Sequence, residues 1–327
     1  MLTDEQIKSQ LNNTLSEAHF PELPNFYSGK VRDNYVFDNH RRVIIATDRV
    51  SAFDRILGEI PFKGQILNQL TLFWLEETNG ICPNHFIASP DSNVTIARNV
   101  KVFPIEMVIR GYLTGSTSTS AWKNYEKGER IFCGNTLPEG LKKNDAFPIP
   151  IITPTTKAEQ GEHDEKISKA EILEKGIIAP EKYFRLEEYT QKLFARGKTV
   201  AAKGGLILVD TKYEFGETAN GQIVLVDEIH TPDSSRFWIA DTYKQQIENG
   251  KEPDNFDKEF LRLWYEKRCD PYKDKELPIM PDDFRIEVAK RYIETYERLT
   301  GKEFTPEESN LPVKERIWKN LKNYLGI

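Results

Sequence analysis

The sequence has few of the residues that support zinc or disulfide chemistry. Among 327 residues there are three cysteines, Cys82, Cys133 and Cys269, and five histidines. The cysteines form no CxxC pair and the histidines have no zinc-ligand spacing. Both observations argue against a fold that is stabilised by a structural metal ion or by disulfide bonds. Three isolated cysteines are typical of reduced thiols in a cytosolic protein, so we expect a cytoplasmic location.

Long apolar runs and an excess of basic residues are also lacking. No run of apolar residues approaches the roughly 20 needed to span a bilayer. The N-terminal sequence MLTDEQIKSQLNN contains no apolar stretch of the kind found in a signal peptide. The net charge is −6, which disfavours a general nucleic-acid binder. We therefore expect neither a membrane nor a nucleic acid as a partner.

The composition that is present, 39% hydrophobic and 29% charged, is typical of a globular protein. The sequence predicts mainly strands early in the chain and helices later, with 134–156, a proline-containing stretch, as an ordered surface loop. The predicted strands are Phe26–Phe37 (around a glycine turn), Arg42–Thr47, Val100–Tyr112 and Gly205–Val209. The predicted helices are Leu67–Asn79, Glu165–Lys175, Pro180–Lys203, Asp257–Lys267, Asp283–Leu299 and Val313–Tyr324.

The stretch GGLILVDTKYEFGETANGQIVLVDEIH predicts a β-hairpin with charge on one face. Side chains of a strand alternate between its two faces, so Asp210, Lys212 and Glu214 share a face opposite Tyr213 and Phe215. The apolar run before Asp210 indicates that the charged face opens where a central sheet meets a cleft. An exposed, charged sheet face is the alternative interpretation.

The dipeptide Asn220-Gly221 predicts a two-residue type I′ turn for this hairpin. Counting outward from such a turn places Glu214 directly opposite Asp227, with their Cβ atoms roughly 4.5–5.5 Å apart. Two like charges at that separation destabilise the pair unless a cation neutralises them. Because Mg²⁺ prefers one or two carboxylates together with phosphate oxygens, the pair predicts a Mg²⁺ site.

Two glycine-containing segments have the chemistry needed to bind phosphate. YSGKVRD joins two strand-like runs, and in it Gly29 permits close backbone approach while Lys30 supplies a positive charge. A plain hairpin turn is the alternative. RGYLTGSTSTS begins with Arg110 and adds two glycines and a run of hydroxyls, which suits a phosphate or carboxylate. A flexible linker is the alternative for Ser118–Ser120.

Two further cations lie beside these motifs. Arg236 ends TPDSSR, directly after the hairpin acids, so we expect it close to a bound nucleotide; a surface turn is the alternative. Lys157 lies in the acid-rich segment TPTTKAEQGEHDE, which could close over a substrate or be an ordinary solvated loop. The sequence contains no Walker A loop, no Gly-x-Ser-x-Gly elbow and no kinase HRD or DFG string.

These segments resemble the SAICAR synthetase (phosphoribosylaminoimidazole-succinocarboxamide synthase) family of purine biosynthesis. The matching strings are YSGKVRD, DRVSAFD, PIEMVIRGYLTGS, TPTTKAEQGEHDE, LILVDTKYEFG and VDEIHTPDSSRFW. They occur in family order over roughly residues 20–240, and the helical tail is similar to that of the longer members.

The resemblance implies an ATP- and Mg²⁺-dependent ligase. L-aspartate and carboxyaminoimidazole ribonucleotide would give the succinocarboxamide, with ATP converted to ADP and phosphate through an acyl phosphate. These small molecules are the expected partners, and we expect a monomer or a small homo-oligomer. The implied fold is α+β, with an ATP cleft between a mainly β N-terminal part and a larger α+β part, as in kinases and ATP-grasp enzymes, followed by a helical C-terminal tail.

Carried over motif by motif, the resemblance implies roles for individual residues. ATP would be bound by Ser28, Gly29, Lys30, Val31, Arg32 and Lys212, with adenine on the backbone of Glu106 and Val108. The substrates would be bound by Arg110, Ser116, Lys157, Arg236, Asp48, Ser51 and Asp54, of which Arg110, Ser116 and Arg236 would hold the ribonucleotide phosphate. Glu214 and Asp227 would hold Mg²⁺, and the catalytic residues would be Lys30, Lys212 and Asp210.

We expect three regions: a mainly β nucleotide-binding part over residues 1–110, an α+β catalytic part over 111–255, and a helical extension packed on the body over 256–327. Two other functions remain compatible with the residues themselves. One is a small-molecule kinase, which would share the glycine loop and the metal acids. The other is a nucleotide-binding module without turnover.

Overall fold

The computed structural model describes residues 2–117, 119–157, 165–256 and 258–327. The helices found there are α1 Asp4–Lys8, α2 Lys63–Glu77, α3 Ala121–Glu126, α4 Lys169–Glu174, α5 Pro180–Lys203, α6 Ala240–Glu248, α7 Glu259–Glu266, α8 Asp282–Thr300 and α9 Val313–Leu325. The strands are β1 Phe26–Ser28, β2 Arg32–Val36, β3 Arg41–Ala46, β4 Arg49–Ala52, β5 Arg55–Glu59, β6 Phe86–Asp91, β7 Val94–Arg98, β8 Lys101–Val102, β9 Ile105–Tyr112, β10 Ile131–Phe132, β11 Asn135–Thr136, β12 Ala146–Ile152, β13 Thr155–Thr156, β14 Leu206–Glu217, β15 Ile223–Val226 and β16 Ser235–Ile239.

The first sheet is antiparallel and has the order β1-β2-β3-β7-β6. The strands predicted at Phe26–Phe37 and Arg42–Thr47 are confirmed as β1, β2 and β3. Alternate residues of these strands, such as Tyr35 and Ile45, are fully buried in one core. Ile317 of α9 belongs to the same core, so the last helix of the chain covers the first sheet.

β14 is the central strand of the second sheet, which has seven strands. Its first half pairs with β9 and β16, and its second half pairs with β15 and β8. Tyr213 and Phe215 of β14 are buried in the core on the side of α5, where Tyr189 stacks on Phe215. The alternate residues Lys212 and Glu214 therefore face away from that helix.

The C-terminal helices pack on both halves of the molecule. α8 contacts α1, α2 and α5 and buries Ile286, Ala289 and Ile293. α9 packs on β6 and buries Ile317 and Leu321. The helices predicted at Asp283–Leu299 and Val313–Tyr324 are therefore confirmed, and their apolar residues face the core at their centres. No helix among the described residues is long and apolar enough to cross a bilayer.

Two predictions of local structure need correction. The surface loop predicted for 134–156 is wrong, because the segment contains β11, β12 and β13. β12 is an edge strand of the second sheet, where Pro148 and Pro150 are tolerated because an edge requires fewer N–H donors. The helix predicted at Glu165–Lys175 is shorter, since α4 begins only after Ser168, whose side chain caps it.

The predicted boundary at residue 110 falls inside β9, which belongs to the second sheet along its whole length. We therefore propose that the N-terminal part ends between β7 and β8. The second predicted boundary lies between α6 and α7. Phe256 and Leu261, which follow it, join the same core as the strands of the second sheet, so we propose that the extension is part of one continuous body.

Arg316 offers a test of how α9 is fixed to the first sheet. Its guanidinium donates to both carboxylate oxygens of buried Asp91, at 3.0 and 3.1 Å. We expect Arg316→Met to lower the free energy of unfolding by about 3–5 kcal/mol, because it leaves a buried carboxylate without its cation. Urea denaturation would measure the change. Lys192→Met is the matched control: its ion pair with Glu188 is exposed, and its loss should change stability by about 0.5 kcal/mol or less. Equal effects of the two substitutions would contradict the prediction.

Candidate active site

A cleft of about 370 Å³ opens between the two sheets. The first sheet contributes the turn between β1 and β2 together with residues of β3, and the second sheet contributes charged residues from within β14 and from the turn after β15. Motifs that are far apart in the sequence therefore share one site. The predicted residues that line it are Gly29, Lys30, Val31, Arg32, Ser51, Lys157, Lys212, Glu214 and Asp227.

The glycine turn on one wall of the cleft is held by a buried ion pair. The Gly29 N–H donates to the carbonyl of Arg32 at 2.8 Å. Arg49 donates to the carbonyls of Gly29 and Lys30 at 2.9 and 3.1 Å. Arg49 is itself paired with fully buried Asp33 at 2.8 Å. The backbone that would approach a phosphate is thus fixed from behind, and neither member of this pair was among the predicted site residues.

Two other predicted residues support this turn. The Ser28 hydroxyl donates to Asp33 at 2.7 Å, so its side chain serves the buried pair behind the turn. Asp54, at the tip of the β4–β5 hairpin, forms an ion pair with Lys30. Both members of that pair are about half exposed. Lys30 is therefore held at the mouth of the cleft by a contact that a ligand can replace.

Asp48 lies outside the cleft lining, which corrects its predicted place on the substrate side. Its carboxylate is buried and accepts hydrogen bonds from the backbone N–H groups of Leu15 at 2.7 Å and Gly64 at 2.8 Å. Burial raises its pKa to about 6. Asp48 thus holds the start of α2 against the N-terminal segment.

The charges on β14 are balanced by neighbouring side chains. Lys212 lies opposite Val108 in the register with β9 and pairs with Glu106, its diagonal neighbour. Glu214 pairs with Lys157 and lies 3.7 Å from Lys212. Burial raises the pKa of Glu214, but Lys212 and Lys157 outweigh that effect and hold the pKa at about 2. The Glu214 carboxylate is therefore ionised at neutral pH.

The register of the metal hairpin differs by one residue from the predicted one. β14 and β15 pair Glu214 with Val226, not with Asp227. The loop is longer than two residues: the Gly221 N–H donates to the Thr218 carbonyl at 2.9 Å, and Gly221 has a φ of 81°. A type I turn followed by a left-handed glycine is the usual three-residue hairpin loop. The predicted type I′ turn and the direct opposition of the two acids are therefore wrong.

Asp227 reaches the cleft because the chain turns out of β15 at this residue, where φ is 62°. The Arg32 guanidinium lies between Asp227 and Glu228, with distances of 2.7 Å to Oδ2 of the first and 2.8 Å to Oε1 of the second. Burial raises the pKa of Asp227 to about 6; Arg32 opposes the rise and Glu214 adds to it. Both predicted metal acids thus face the same cleft, and each already has a cationic partner.

The donor set fits Mg²⁺ only in combination with phosphate oxygens. In the part of the chain that the structure describes, no three His, Cys, Asp or Glu side chains are grouped so as to hold a metal ion by themselves. Glu214 and Asp227 supply two carboxylates, the number that Mg²⁺ commonly combines with substrate phosphates. The Mg²⁺ site therefore stays a prediction, supported by these two side chains.

A smaller pocket of about 70 Å³ lies beside α7 and is lined by Ser116 and Arg236. Asp210 accepts a hydrogen bond from Arg236 and lies 3.6 Å from Nη1 of Arg110. Asp210 lies between the two guanidinium groups, and Glu259, which lines the same pocket, is a second acid near Arg236. Guanidinium groups and a hydroxyl suit a phosphate. The structure thus groups Arg110 and Arg236 around Asp210, and Ser116 lines the same pocket as Arg236. Arg236 is not part of the cleft lining, so its expected place beside the nucleotide is not supported.

The backbone of Val108 is paired within the sheet and is not open to an adenine ring, while contact of Glu106 with adenine stays a prediction. β9 has sheet partners on both sides, β14 on one and β12 and β13 on the other. Glu106 pairs with Thr155, and the Val108 carbonyl accepts a hydrogen bond from the Thr153 N–H at 2.7 Å. Val102 of β8 lines the cleft instead.

The sequence did not predict a buried charge cluster that lies at the cleft. Oδ2 of Asp233 accepts hydrogen bonds from Lys63 at 2.9 Å and Lys258 at 2.8 Å, and Oδ1 accepts one from the Tyr292 hydroxyl at 2.6 Å. Burial lowers the pKa of Lys258 to about 8, against the opposing effect of Asp233. Asp233 belongs to the TPDSSR motif, but no spacing in the sequence connects it to Lys63, which is 170 residues away.

The acid-rich segment that was predicted to close over a substrate falls largely on residues 158–164, which lie outside the described residues. Ser118, in the predicted linker, and Asp257, at the start of a predicted helix, lie outside them as well. Lys157, which directly precedes residues 158–164, is described and lines the cleft.

Comparisons with known proteins agree on one family. The SAICAR synthetase family profile matches residues 25–279. A phosphoribosylaminoimidazole-succinocarboxamide synthase of Legionella pneumophila (strain Paris) is 51% identical over 300 residues, covering 92% of this chain and 95% of its own. A SAICAR synthase from Saccharomyces cerevisiae, solved in complex with SAICAR, has a TM-score of 0.78 and 34% identity, and covers 90% of this chain and 100% of its own. A SAICAR synthetase solved in complex with ADP has a TM-score of 0.65 and 27% identity, over 86% of this chain and 100% of its own.

The cluster around Asp233 makes a strong prediction about stability. We expect Asp233→Asn to lower the free energy of unfolding by about 3–5 kcal/mol, because two buried ammonium groups lose their shared carboxylate. Tyr292→Phe is the matched control, since it removes one hydrogen bond from the same carboxylate and should cost about 1.5 kcal/mol. Urea denaturation would measure both variants. If the two costs were equal, the charge neutralisation inferred for Asp233 would be refuted.

Proposed function

Because the chain belongs to the SAICAR synthetase family, we infer that it is an ATP-dependent ligase of de novo purine biosynthesis. It joins L-aspartate to carboxyaminoimidazole ribonucleotide and produces the succinocarboxamide, ADP and phosphate. The observation that carries this assignment is one cleft in which a glycine turn, several cations and two metal-type carboxylates meet, beside a separate pocket lined by Ser116 and Arg236. The described fold agrees, since it is α+β and matches the solved synthase over most of both chains.

The first chemical step activates a carboxylate. Its oxygen attacks the γ-phosphorus of ATP, the bond from that phosphorus to the β-phosphate oxygen breaks, and ADP leaves. Lys30 and Lys212, on opposite walls of the cleft, are positioned to stabilise negative charge on the transferred phosphoryl group. Before ATP binds, each lysine is paired with a carboxylate, Asp54 or Glu106, and keeps its positive charge within the cleft.

The second step forms the new bond. The amine of L-aspartate attacks the carbonyl carbon of the acyl phosphate, a proton is lost, and the bond from that carbon to the phosphate oxygen breaks. Phosphorylation makes this displacement possible because phosphate is a far better leaving group than an oxide. Lys157 precedes most of the acid-rich segment. It is available to bind a substrate carboxylate once Glu214 has another partner.

Glu214 and Asp227 would hold Mg²⁺ in this scheme, together with oxygens of the nucleotide. A Mg²⁺ ion bound there supplies positive charge to the phosphates that react. The two acids enter from different directions, Glu214 from within β14 and Asp227 from the turn after β15. Val102 of β8, rather than Val108, is our proposed neighbour for adenine.

The ribonucleotide phosphate would bind in the smaller pocket, between Ser116 and Arg236. Asp210 keeps Arg110 and Arg236 oriented toward each other and so acts as a positioning residue. We also propose a cytoplasmic location, in agreement with the three cysteines being free thiols. The oligomeric state, a monomer or a small homo-oligomer, stays a prediction.

The function is tested by measuring ADP release with all three substrates and with each one omitted. We expect release to require both L-aspartate and the carboxylated ribonucleotide, with free phosphate formed in equal amount. ADP release that leaves phosphate on the second substrate would identify a small-molecule kinase instead. Nucleotide binding without any turnover would identify a non-catalytic module.

The metal acids make a second prediction for the same assay. Glu214→Gln and Asp227→Asn should each lower turnover on the order of 100-fold, because each removes a carboxylate that would bind the Mg²⁺ at the reacting phosphates. Glu217→Gln is the matched control, since it lies on the same strand but pairs with Lys182 away from the cleft. Circular dichroism would verify that the variants are folded. Unchanged turnover and unchanged Mg²⁺ dependence in the first two variants would remove these acids as ligands.

A further inference from the structure

Arg32 pairs with Asp227, one of the two acids proposed above to hold Mg²⁺. Its guanidinium spans Asp227 and Glu228 at 2.7 and 2.8 Å, and all three side chains are mostly buried. The left-handed backbone at Asp227 aims two consecutive carboxylates at this one group. A non-glycine residue with positive φ is uncommon, and such residues concentrate at functional sites.

The charge of the cleft explains why a cation must sit there. Arg32 lies between Asp227 and Glu228, whereas Glu214, the other proposed metal ligand, pairs with Lys157 and lies near Lys212. Adjacent buried carboxylates repel one another unless something neutralises them. A dication bound by Asp227 would compete with Arg32 for that carboxylate. Arg32 is the cation that pairs with both Asp227 and Glu228, so it is the one displaced.

Arg32 also has a second anion within its reach. It lies two residues after Lys30, on the wall of the cleft formed by the glycine turn, and it lines the same cavity. Arg49 and Asp33 fix the backbone of that turn, so a change of partner requires only a rotation of the Arg32 side chain. A guanidinium binds phosphate as readily as carboxylate, through the same planar set of donors.

We propose that Arg32 is an exchangeable counter-ion: it neutralises Asp227 and Glu228 in the nucleotide-free protein and moves to the nucleotide's phosphates when a divalent cation takes the carboxylates. The exchange couples the two ligands, since the phosphates give Arg32 a new partner and the cation gives the acids one. It also weakens binding of the cation alone, which must compete with Arg32. This inference rests on the metal site proposed above and adds Glu228 to it as the second acid that Arg32 releases.

The test is a titration of nucleotide-free protein with Mn²⁺, followed by electron paramagnetic resonance. Arg32→Met should bind Mn²⁺ about tenfold more tightly than the wild type, because the competing cation is gone. The same variant should lose about 5 °C in Tm without metal and recover it in millimolar Mg²⁺, whereas the Tm of the wild type should be nearly indifferent to Mg²⁺ alone.

Arg42→Met is the matched control. Arg42 lines the same cleft, and within the described residues it forms no ion pair with a carboxylate, so its loss should change Mn²⁺ affinity less than twofold. If Arg32→Met is not folded, Arg32→Lys serves instead: one ammonium cannot span both acids, and Mn²⁺ affinity should rise about threefold. Equal or weaker Mn²⁺ binding in the Arg32 variant would overturn the proposal. None of these measurements needs turnover, so their failure is distinct from a failure of aspartate-dependent ADP release.

Discussion

β14 carries charged side chains from the centre of a sheet into a partly buried cleft, and the surrounding structure is arranged to neutralise them. Tyr213 and Phe215 anchor the strand in the core, so the side chains at the alternate positions, Lys212 and Glu214, must face the cleft. Burying an unpaired charge is costly, and each of these two finds a partner on a different element, β9 for Lys212 and the segment at Lys157 for Glu214.

The same requirement connects the two sheets and the tail. Arg32 of the first sheet meets Asp227 at the end of β15, and Lys63 of α2 meets Asp233 in the turn before β16. Tyr292 of α8 completes the second contact. The cleft is therefore built from ion pairs that each join separate parts of the chain. This explains why the helical extension packs against the body and why it contributes to the walls of the site.

Much of this arrangement could be predicted from local sequence. The alternation in β14, the glycine turn before Lys30 and the apolar stripes of the tail helices are short-range signals, and the structure confirms all three elements. The register of the hairpin could not be predicted in the same way. Asn220-Gly221 fits both a two-residue and a three-residue loop, and the choice between them moves Glu214 from Asp227 to Val226.

The sequence also could not predict contacts between residues that are far apart in the chain. β9 was predicted as a strand, but its position between two neighbours, which closes the backbone of Val108, depends on β12 and β14. β12 itself was missed because its prolines are typical of loops, and only its place at the edge of the sheet makes them acceptable. Lys258 contacts Asp233 through tertiary folding alone, and no motif marks it.

The two binding regions differ in how their cations are paired with carboxylates before a ligand binds. Around Asp210, the guanidinium groups of Arg110 and Arg236 share one carboxylate, so a phosphate that binds Arg236 competes with the nearby Glu259 but leaves Asp210 beside Arg110. In the main cleft, Lys30, Arg32, Lys157 and Lys212 are each paired with an internal carboxylate, so an anionic ligand that binds one of them must replace that carboxylate. The replaced carboxylate then needs a cation of its own, which a nucleotide arriving with a divalent metal supplies. The smaller pocket is thus suited to hold a phosphorylated substrate in place, while the cleft is suited to accept nucleotide and metal together.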